Sequence, residues 1–479
     1  MQHTFDTIII GNGAAAFSAA IRLSELSDGN ERIAMVGSGP VGGTCLNRGC
    51  VPTKYLIEAS RGIYASSHPA FSGIEPTTQS FNFSKLMEGL GEIVQAQRKQ
   101  RYDSILDHYD NISFFPGSAR FQSDCAIEIS SDSSHGLSGV IDLKAEKVLI
   151  ASGSSPSIPS INGLATVPYF TTDTLWKMDQ LPECLTIFGA GPTGLEMAQA
   201  FRNMGVAVCV VEERSAIIAR FEGEISGKLK ETLESEGIRF YLESNVKHIR
   251  KEGRNAVIEL AHKGGHDTIT CDALLLATGR KPNTLDLNLS SAGVKTDRWG
   301  FIITDSRMLT SNPRIFAAGD CISKRLMLET LAAREGAIAA ENMAGKFIEM
   351  DYSCVPAAVF TNPQAASVGM TESEAKELYG DALVTMVPLE MVPKALISGK
   401  SSGIIKLIAH PLNGRILGVH ALAHNASEFI MEAALAIKCA MSYEDIIGTV
   451  HIFPTFAEGI KIAAQAFLRD VSRMSCCVE

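Results

Sequence analysis

The 479-residue sequence lacks any apolar run of the roughly 20 residues that a membrane-spanning helix needs. It also lacks a basic excess: the formal net charge is −10, which gives no electrostatic support to nucleic-acid binding. The start, MQHTFDTIIIGNG, has neither a basic segment nor a small-residue cleavage site, so we expect no signal peptide. These absences predict a cytoplasmic protein with no membrane span and no nucleic-acid partner.

Cysteine is present, but not in a zinc-binding arrangement. The 11 cysteines have irregular spacings, and paired CxxC units are absent from the sequence. An odd count in a large chain without a leader is typical of a reducing compartment. Two pairs stand out: Cys45 with Cys50, and the adjacent Cys476 and Cys477 near the C-terminus. Because exposed thiols oxidise readily, the second pair needs a chemical explanation.

Two segments have the strand, glycine turn and helix pattern of a dinucleotide-binding fold. In the first, TIIIGNGAAAF, a β-branched run leads into Gly11 and Gly13, and an Ala-rich helix follows. Gly11 permits a tight turn, Gly13 lets a pyrophosphate approach the backbone, and the helix start supplies N–H donors. Ala16 replaces the third glycine, and Gly37 stands where the second strand usually ends in an acid that binds the ribose. We expect that ribose contact to be missing or to be supplied elsewhere.

The second segment, CLTIFGAGPTGLEMAQAF, carries the complete fingerprint of three glycines: Gly189, Gly191 and Gly194. The next strand ends at Glu212, about 20 residues after the first of these glycines, as the fingerprint requires. An acid at this position binds ribose hydroxyls and repels a 2′-phosphate, which favours NADH over NADPH. Arg214 and Arg220 stand nearby and can weaken that preference, so both coenzymes stay open.

Three later segments agree with two dinucleotide sites in one chain. Two of them, LIASGSSP and LLATGRKPN, have a strand followed by a turn, and we expect the chain to cross between domains there. The third, RIFAAGDC, places Asp320 after Gly319 at the end of an apolar strand, where a carboxylate can bond a ribityl hydroxyl. In this order, the segments are hard to obtain by chance.

The segment GGTCLNRGCVPTKYL places a cysteine pair beside the first dinucleotide fold. Four residues separate Cys45 from Cys50 and a helical pattern follows, so the two sulfurs can come within disulphide reach. A helix N-terminus lowers the pKa of a thiol, and Pro52 suits a first helical turn. Two buried structural cysteines are the alternative, which the neighbouring dinucleotide fold disfavours.

Over nearly its whole length the chain resembles the flavin-dependent pyridine nucleotide–disulphide oxidoreductases. The segments that carry the resemblance are GNGAAA, GGTCLNRGCVPTK, GAGPTGLE, ATGR and AAGDC, in the family's order. The resemblance implies an α/β fold with two Rossmann-like dinucleotide-binding domains and a C-terminal α+β dimerisation domain, and therefore a homodimer. The order of the motifs places the FAD-binding domain at residues 1–156 and 279–347, the NAD(P)H-binding domain at 157–278 and the interface domain at 348–479.

The resemblance also implies roles for individual residues. Cys50 is then the sulfur that faces the flavin, and Cys45 is the outer, interchange sulfur. Lys54 lies beside the flavin N5 and pairs with Glu196 near the nicotinamide. The residues implied to bind the two cofactors, FAD and NADH or NADPH, are Gly11, Gly13, Ala14, Ala15, Gly43, Thr44, Lys54, Ser152, Gly153, Gly189, Gly191, Gly194, Glu196, Glu212, Gly279, Arg280, Gly319 and Asp320.

One catalytic residue of the disulphide-reducing members is missing from this sequence. Those members resemble one another in an HPT…E segment, whose histidine is the general acid–base for thiol exchange and is oriented by the glutamate. In VHIFPTFAEG the glutamate is present as Glu458, but Phe453 occupies the histidine position and cannot carry a proton. His451, two residues upstream, is expected to face elsewhere. Lipoamide or glutathione disulphide is therefore not the expected substrate.

The C-terminal stretch FAEGIKIAAQAFLRDVSRMSCCVE resembles that of the mercuric reductases, which carry a vicinal cysteine pair on a short tail and also lack the histidine. A tyrosine usually takes its place there, so Phe453 departs from both patterns. Hg(II) is a soft cation that prefers thiolates and moves by thiolate exchange. The resemblance implies that Cys476 and Cys477 of the partner subunit take Hg(II), the substrate, from small thiols or carrier proteins and pass it to Cys45 and Cys50.

Several alternatives stay open. A thioredoxin reductase also ends in a vicinal redox pair, but it keeps the histidine that Phe453 replaces. A lipoamide dehydrogenase agrees with Glu212 and explains neither Phe453 nor the tail. A flavoprotein that only buffers soft metals through Cys476 and Cys477 would lose metal independently of NAD(P)H, and a tail without function is the simplest alternative. We expect a catalytic core without an N-terminal CxxC domain, so that any upstream mercury carrier is a separate thiol.

Overall fold

The computed structural model describes residues 2–130, 140–323 and 326–473. The chain forms two compact units. Unit 1 contains the residues up to Pro52, then Met87–Ser157 and Gly279–Asp351, and unit 2 contains Thr53–Leu86, Ile158–Thr278 and the residues from Tyr352 onward. Among the described helices, none combines the length and the apolar character that crossing a membrane would require. The three domain boundaries inferred from motif order, after residues 156, 278 and 347, stay predictions.

Strands and helices alternate through most of the chain. The strands are β1 (Gln2–Ile10), β2 (Ile33–Gly37), β3 (Ile112–Pro116), β4 (Ser118–Phe121), β5 (Ala126–Ser130), β6 (Val140–Ile150), β7 (Ser154–Pro156), β8 (Phe170–Thr171), β9 (Cys184–Phe188), β10 (Ala207–Val211), β11 (Arg239–Tyr241), β12 (Asn245–Glu252), β13 (Asn255–His262), β14 (Gly265–Cys271), β15 (Ala273–Leu276), β16 (Arg280–Pro282), β17 (Ile315–Ala317), β18 (Ala357–Val359), β19 (Gln364–Gly369), β20 (Leu383–Pro388), β21 (Ile404–Ala409) and β22 (Ile416–Ala423). The α-helices are α1 (Ala14–Leu26), α2 (Gly43–Asn47), α3 (Cys50–Ser67), α4 (Phe83–Arg98), α5 (Ser104–His108), α6 (Pro192–Asn203), α7 (Gly223–Ser235), α8 (Glu329–Met343), α9 (Glu372–Tyr379), α10 (Pro393–Ile397), α11 (Ala426–Lys438), α12 (Tyr443–Gly448) and α13 (Glu458–Gln465).

Unit 1 is organised around a seven-stranded sheet in the order β3-β2-β1-β6-β5-β4, with β17 also paired to β6. Strand β1 pairs in parallel with β2 and β6, which is the arrangement of a doubly wound dinucleotide fold. The apolar run Ile8–Ile10 is buried, as a central parallel strand requires. Helices α1 and α8 pack closely at Gly336. A Cβ on this glycine would lie 2.2 Å from the carbonyl oxygen of Ala15, so the contact requires a residue without a side chain.

Unit 2 contains a second parallel sheet in the order β11-β10-β9-β15-β8, which repeats the central strand arrangement of unit 1. Strands β12, β13 and β14 form a three-stranded antiparallel sheet. The last sheet, β18-β19-β22-β21-β20, is antiparallel. Its buried Ile405 and Val419 share one core with Phe429 of α11 and Ile460 of α13.

The predicted fold class is confirmed: two Rossmann-like folds precede an α+β region. In that last region the sequence predicts strands at AAVFTNPQAASVGM, GIIKLIAH and RILGVHAL, which correspond to β18, β19, β21 and β22, and a helix at SEFIMEAALAIKCA, which overlaps α11. Strand β20, an edge strand of this sheet, was not predicted. Its sequence LVTMVP ends in a proline, which the sheet tolerates at its edge.

Candidate active site

The first glycine turn joins β1 to α1 in unit 1. Gly11 has a φ of +144°, and a Cβ there would lie 2.2 Å from the carbonyl oxygen of Ala151, so the position requires glycine. Gly13 lies against Gly43. A Cβ on Gly43 would come within 2.6 Å of the Gly13 Cα. Helix α1 begins without a side-chain cap, so its first backbone N–H groups are available to a ligand. This backbone-lined surface fits the predicted pyrophosphate contact.

A side chain from the turn covers the strand end that lacks an acid. A Cβ on Gly37 would lie 2.7 Å from the Cβ of Asn12. The Asn12 amide nitrogen donates to the carbonyl oxygens of Ser38 and Gly39, at 3.2 Å each, and lies 3.4 Å from that of Pro40. An acidic side chain at position 37 is therefore sterically incompatible with Asn12. Sequence reasoning missed Asn12, for which its place between two fingerprint glycines is the one available signal.

Asp320 lies at the end of a chain of hydrogen bonds in unit 1. Ser154 Oγ donates to the Asp320 carboxylate at 2.8 Å, and Arg280 Nε donates to Ser154 Oγ at 2.7 Å. Arg280 also donates to the carbonyl oxygen of Ser154 at 2.7 Å and to Thr44 Oγ1 at 3.5 Å. The structure thus brings together three predicted cofactor residues, Thr44, Arg280 and Asp320. Ser154, which connects them, was not predicted.

The crossing segments around Ser152 and Gly279 lie beside this chain of hydrogen bonds. Strands β7 and β16 pair in an antiparallel ribbon. Asn283 donates its backbone N–H to the Gly153 oxygen and its side-chain amide to the Ser152 oxygen, both at 3.0 Å. The Gly319 N–H donates to the buried Glu335 carboxylate at 2.8 Å. These bonds fix the loop backbones on either side of Asp320.

The predicted redox pair occupies two short stretches of unit 1. Cys45 lies in α2, and Cys50 is the first residue of α3. The Cys45 thiol donates to the Glu329 carboxylate at 2.8 Å, and the three ligand atoms of Cys45, Cys50 and Glu329 all lie within 4.8 Å of one another. Glu329 begins α8 and is 284 residues away in the sequence. Sequence reasoning missed it because no local motif connects it to the cysteines.

Protonation in this cluster depends on several neighbouring groups. The hydrogen bond with Cys50 raises the pKa of the Cys45 thiol, and burial and the nearby Glu329 carboxylate raise it further. The helix start expected to lower a thiol pKa is that of α3 at Cys50, whereas at Cys45, inside α2, the neighbouring thiol, burial and the Glu329 carboxylate raise the pKa. Burial, with smaller contributions from Glu329 and Cys45, raises the pKa of Tyr102 to about 12. Tyr102 is a second neighbour that the sequence motifs did not identify.

The second glycine turn joins β9 to α6 in unit 2. Gly189 has a φ of +103°, and a Cβ there would lie 2.4 Å from the carbonyl oxygen of Ala277. A Cβ on Gly194 would lie 2.1 Å from the Gly189 oxygen. Glu212, at the end of β10, accepts the Ala190 N–H at 2.8 Å, so its carboxylate lies at the turn, and its contact with a ribose stays a prediction.

Lys54 and Glu196 form the predicted ion pair, with a distance of 2.9 Å between Nζ and Oε2. Glu196 is 3% exposed and also accepts the backbone N–H of Phe360 at 2.9 Å. The Lys54 ammonium lies 4.4 Å from the centre of the Phe360 ring, within range of a cation–π interaction. Each oxygen of the buried Glu196 carboxylate therefore has a partner: Oε2 pairs with Lys54, and Oε1 accepts the N–H of Phe360.

The region of the missing histidine also lies in unit 2. The Phe453 side chain is 52% exposed. His451 bonds Glu432 at 2.8 Å and the Thr449 oxygen at 3.0 Å, and the bond to Glu432 raises the His451 pKa. Glu458 has one buried oxygen without a hydrogen-bond partner among the described residues, and burial raises its pKa. His451 also lies near Glu458, whose pKa its charge lowers, so the expectation that His451 faces elsewhere stays a prediction. Cys476 and Cys477 lie outside the described residues.

Comparison with known proteins agrees with these features. Residues 5–336 match the family described as pyridine nucleotide-disulphide oxidoreductase, and residues 355–464 match its dimerisation domain. A mercuric reductase of Lysinibacillus sphaericus is 35% identical over 99% of this chain and 85% of its own length. One of Streptomyces lividans is 36% identical over 99% of both chains. The solved Cu(II) complex of the HOCl-induced flavoprotein disulfide reductase RclA from Escherichia coli is similar with a TM-score of 0.85 and 25% identity, covering 97% of this chain and 99% of that one.

Both glycine turns and the cysteine pair lie within the residues that match this family. The residues at both turns fit a dinucleotide, because the neighbouring backbone requires glycine at Gly11 and Gly189 and each turn leads into a helix start without a side-chain cap. The chain belongs to the pyridine nucleotide-disulphide oxidoreductases and, within them, to the family of the mercuric reductases.

Proposed function

We propose that the protein is a flavoenzyme that reduces Hg(II) to Hg(0) with electrons from NADH or NADPH. The observation that carries this proposal is the close pair Cys45 and Cys50, in a chain that is similar to mercuric reductases over nearly its whole length. When bound at the Gly11 turn, FAD supplies the two-electron link between the nicotinamide and the cysteines. The protein works in the cytoplasm as a homodimer, which the match to a dimerisation domain supports.

The residues of each glycine turn bind and orient one cofactor. In unit 1, the backbone of Gly13 and Gly43 and the start of α1 receive the FAD pyrophosphate, and Asp320 accepts a ribityl hydroxyl. In unit 2, the turn at Gly189 receives the coenzyme pyrophosphate and Glu212 the ribose hydroxyls. A carboxylate there repels a 2′-phosphate, so NADH is the preferred donor.

Cys45 and Cys50 hold Hg(II) as two thiolate ligands. Two electrons that originate on NAD(P)H convert Hg(II) to Hg(0), while both sulfurs keep their oxidation state as thiolates. The neutral atom has little affinity for thiolates, so product release follows from the reduction itself. Lys54 and Glu196 keep the roles that the family resemblance implies, beside the flavin N5 and the nicotinamide.

The residues near Phe453 disfavour a disulphide substrate. Reduction of a disulphide requires a proton for the leaving thiolate, which a histidine supplies in the disulphide-reducing members. Phe453 carries no proton, and His451 is bonded to Glu432 at 2.8 Å. Transfer of a metal between thiolates proceeds by ligand exchange and needs no such acid.

Cys476 and Cys477 of the partner subunit deliver Hg(II) to the redox pair in this proposal. An adjacent dithiol captures Hg(II) from small thiols or carrier proteins and passes it on by thiolate exchange. This step rests on the resemblance of the C-terminal sequence and on the affinity of Hg(II) for thiolates. It explains why a chain end carries two adjacent thiols.

The test is an anaerobic assay of the purified, FAD-loaded protein with Hg(II) and an excess of a small thiol. NADH or NADPH oxidation is followed while volatile Hg(0) is trapped. We expect Hg(0) in a one-to-one ratio with oxidised coenzyme, and faster turnover with NADH. The variant Cys476→Ala/Cys477→Ala should release much less Hg(0) under strong thiol competition. Cys439→Ala, which removes an exposed thiol elsewhere, is the matched control and should behave as the unaltered protein.

Two outcomes would contradict the proposal in different ways. Rapid NAD(P)H oxidation with a disulphide or thioredoxin, without Hg(0) formation, would identify a disulphide reductase. Phe453 at the histidine position would then not exclude a disulphide substrate. Metal release that is independent of NAD(P)H would identify a soft-metal buffer. Equal Hg(0) release from the tail variant and the unaltered protein would remove the delivery step and leave the reductase in place.

A further inference from the structure

Two clusters of three possible metal ligands occur in the described part of the chain. The first contains Glu222, Glu224 and Glu372. The ammonium of the buried Lys406 lies 2.9, 2.9 and 2.8 Å from these three carboxylates and neutralises them in place of a metal. This cluster is an ion-pair network, and it gives no reason to expect a bound cation.

The second cluster, Cys45, Cys50 and Glu329, has two thiols beside a single carboxylate. The thiol of Cys45 contacts Glu329 Oε2 at 2.8 Å, and the three ligand atoms lie within 4.8 Å of one another. Three separate helices supply them: α2, the start of α3 and the start of α8. The carboxylate therefore reaches the redox pair by the fold and not by a sequence motif.

The geometry of this cluster suits a cation with a higher coordination number than Hg(II). Hg(II) favours two nearly collinear sulfurs and gains little from a third, oxygen ligand. Zn(II) instead takes four ligands in a tetrahedron, with sulfur at about 2.3 Å and carboxylate oxygen at about 2.1 Å. Those lengths put sulfur and oxygen roughly 3.5 Å apart across the metal. The observed contact of 2.8 Å between Cys45 and Glu329 needs to open by less than 1 Å to admit the ion.

We propose that Cys45, Cys50 and Glu329 form a three-ligand site for borderline divalent cations of the Zn(II) and Cd(II) class, and that Glu329 sets the selectivity between these cations and Hg(II). Water takes the fourth position, as in sites with three protein ligands. A cation held in this way occupies both sulfurs and so competes with Hg(II) for the redox pair. The inference rests on the proposed function only where it speaks of competition with Hg(II).

The test measures Zn(II) affinity of the FAD-loaded, reduced, anaerobic protein by competition with a chromophoric chelator. All variants carry Cys476→Ala/Cys477→Ala, so that the tail thiols add no second site. We expect Glu329→Gln to weaken Zn(II) binding at least tenfold and Hg(II) binding less than threefold. Asp286→Asn, which removes one exposed carboxylate from the same unit, should change neither affinity by more than twofold.

Two further measurements keep the result interpretable. Co(II), as a spectroscopic substitute for Zn(II), should give the intense visible bands of a four-coordinate site with Glu329 and lose them with Glu329→Gln. Glu329→Asp keeps the carboxylate on a shorter stem and should recover part of the lost Zn(II) affinity. Flavin content, measured on every variant, reports whether the fold of unit 1 is intact.

The outcomes separate this inference from the proposed function. Equal Zn(II) affinity in the Cys476→Ala/Cys477→Ala protein with and without Glu329→Gln, with flavin content retained, would overturn the site. Equal losses of Zn(II) and Hg(II) affinity would overturn the selectivity role. In a third outcome, Glu329→Gln lowers Zn(II) affinity and not Hg(II) affinity while the unaltered protein releases no Hg(0) with NAD(P)H. That combination would support the cation site and contradict the reductase proposal.

Discussion

Both glycine turns require a residue without a Cβ at their first position. They differ in the hydrogen bonds that connect each turn to the end of its neighbouring strand. At Gly11 and Gly189, φ is positive and a Cβ would lie 2.2 and 2.4 Å from a carbonyl oxygen of the adjacent strand end. In the first turn, Asn12 reaches outward to the loop after β2. In the second turn, Glu212 reaches inward from β10 to the backbone of Ala190.

This difference indicates that the residue between the first two glycines and the residue at the end of the second strand act as a pair. A small residue at the turn, Ala190, leaves room for an acid at the strand end. A larger residue, Asn12, occupies that room and requires Gly37. The fingerprint glycines thus specify the backbone of a dinucleotide turn, whereas this pair decides whether a carboxylate is available to the ribose.

The largest expected effect comes from exchanging the third fingerprint position, which is Gly194 in one turn and Ala16 in the other. A Cβ on Gly194 would lie 2.1 Å from the Gly189 oxygen. We expect Gly194→Ala to destabilise unit 2 by about 1–3 kcal/mol, the usual cost of overpacking, and to raise the KM for NADH at least tenfold. Urea unfolding and steady-state kinetics measure both effects, and flavin content should not change.

Ala16→Gly is the converse exchange in the first turn. Ala16 is fully buried, so removal of its methyl group should cost about 1 kcal/mol or less and leave coenzyme kinetics unaltered. If Gly194→Ala bound NADH normally, the close approach of α6 to its turn would not be required for the coenzyme site.

The second effect follows from the pair Asn12 and Gly37. We expect Gly37→Glu to lower the flavin-to-protein ratio several-fold, because its Cβ would lie 2.7 Å from that of Asn12. The double variant Asn12→Gly/Gly37→Glu copies the second turn and should recover most of the flavin. Absorbance of purified protein gives the ratio. Failure of the double variant to bind more flavin than Gly37→Glu would show that the two positions are not coupled.

Sequence reasoning identified what local motifs encode. Both turns, the α/β fold class and the Lys54–Glu196 pair were predicted, since each belongs to a motif in a known order. It left open what replaces the acid at Gly37, because that depends on a side chain packed across the turn. It also missed Glu329, since only the packed fold brings a residue 284 positions away to Cys45.

The thiol pKa illustrates a second limit of sequence reasoning. A helix start lowers a thiol pKa when the dipole is the main nearby charge. Near Cys45 the neighbouring thiol of Cys50 raises the pKa, and the fold adds burial and the Glu329 carboxylate, which raise it further. The sign of such a shift depends on all groups within a few ångströms, most of which are distant in the sequence.

A smaller effect concerns coenzyme choice at the second turn. Glu212→Gln keeps the size of the side chain and removes its charge. We expect kcat/KM for NADH to fall about tenfold, or ~1.4 kcal/mol, and that for NADPH to rise, because the repulsion of a 2′-phosphate is lost. Glu213→Gln, at the exposed neighbouring position, is the control and should change neither value. An unchanged ratio of the kcat/KM values for NADH and NADPH would mean that Glu212 only connects the end of β10 to Ala190 by a hydrogen bond.

The smallest expected effect comes from Arg214, and it distinguishes the contribution of this charge to coenzyme choice from that of Glu212. Arg214 is exposed, and its backbone N–H donates to Glu212 at 3.0 Å, so a side-chain change there leaves the tie to the turn intact. A single exposed charge contributes about 0–1 kcal/mol, and salt screens it. We therefore expect Arg214→Ala to lower kcat/KM for NADPH roughly two- to threefold at low salt, to leave NADH use unaltered, and to lose its effect at high salt. A loss of NADH use instead would show that the strand end, and not its charge, determines how the second turn binds its coenzyme.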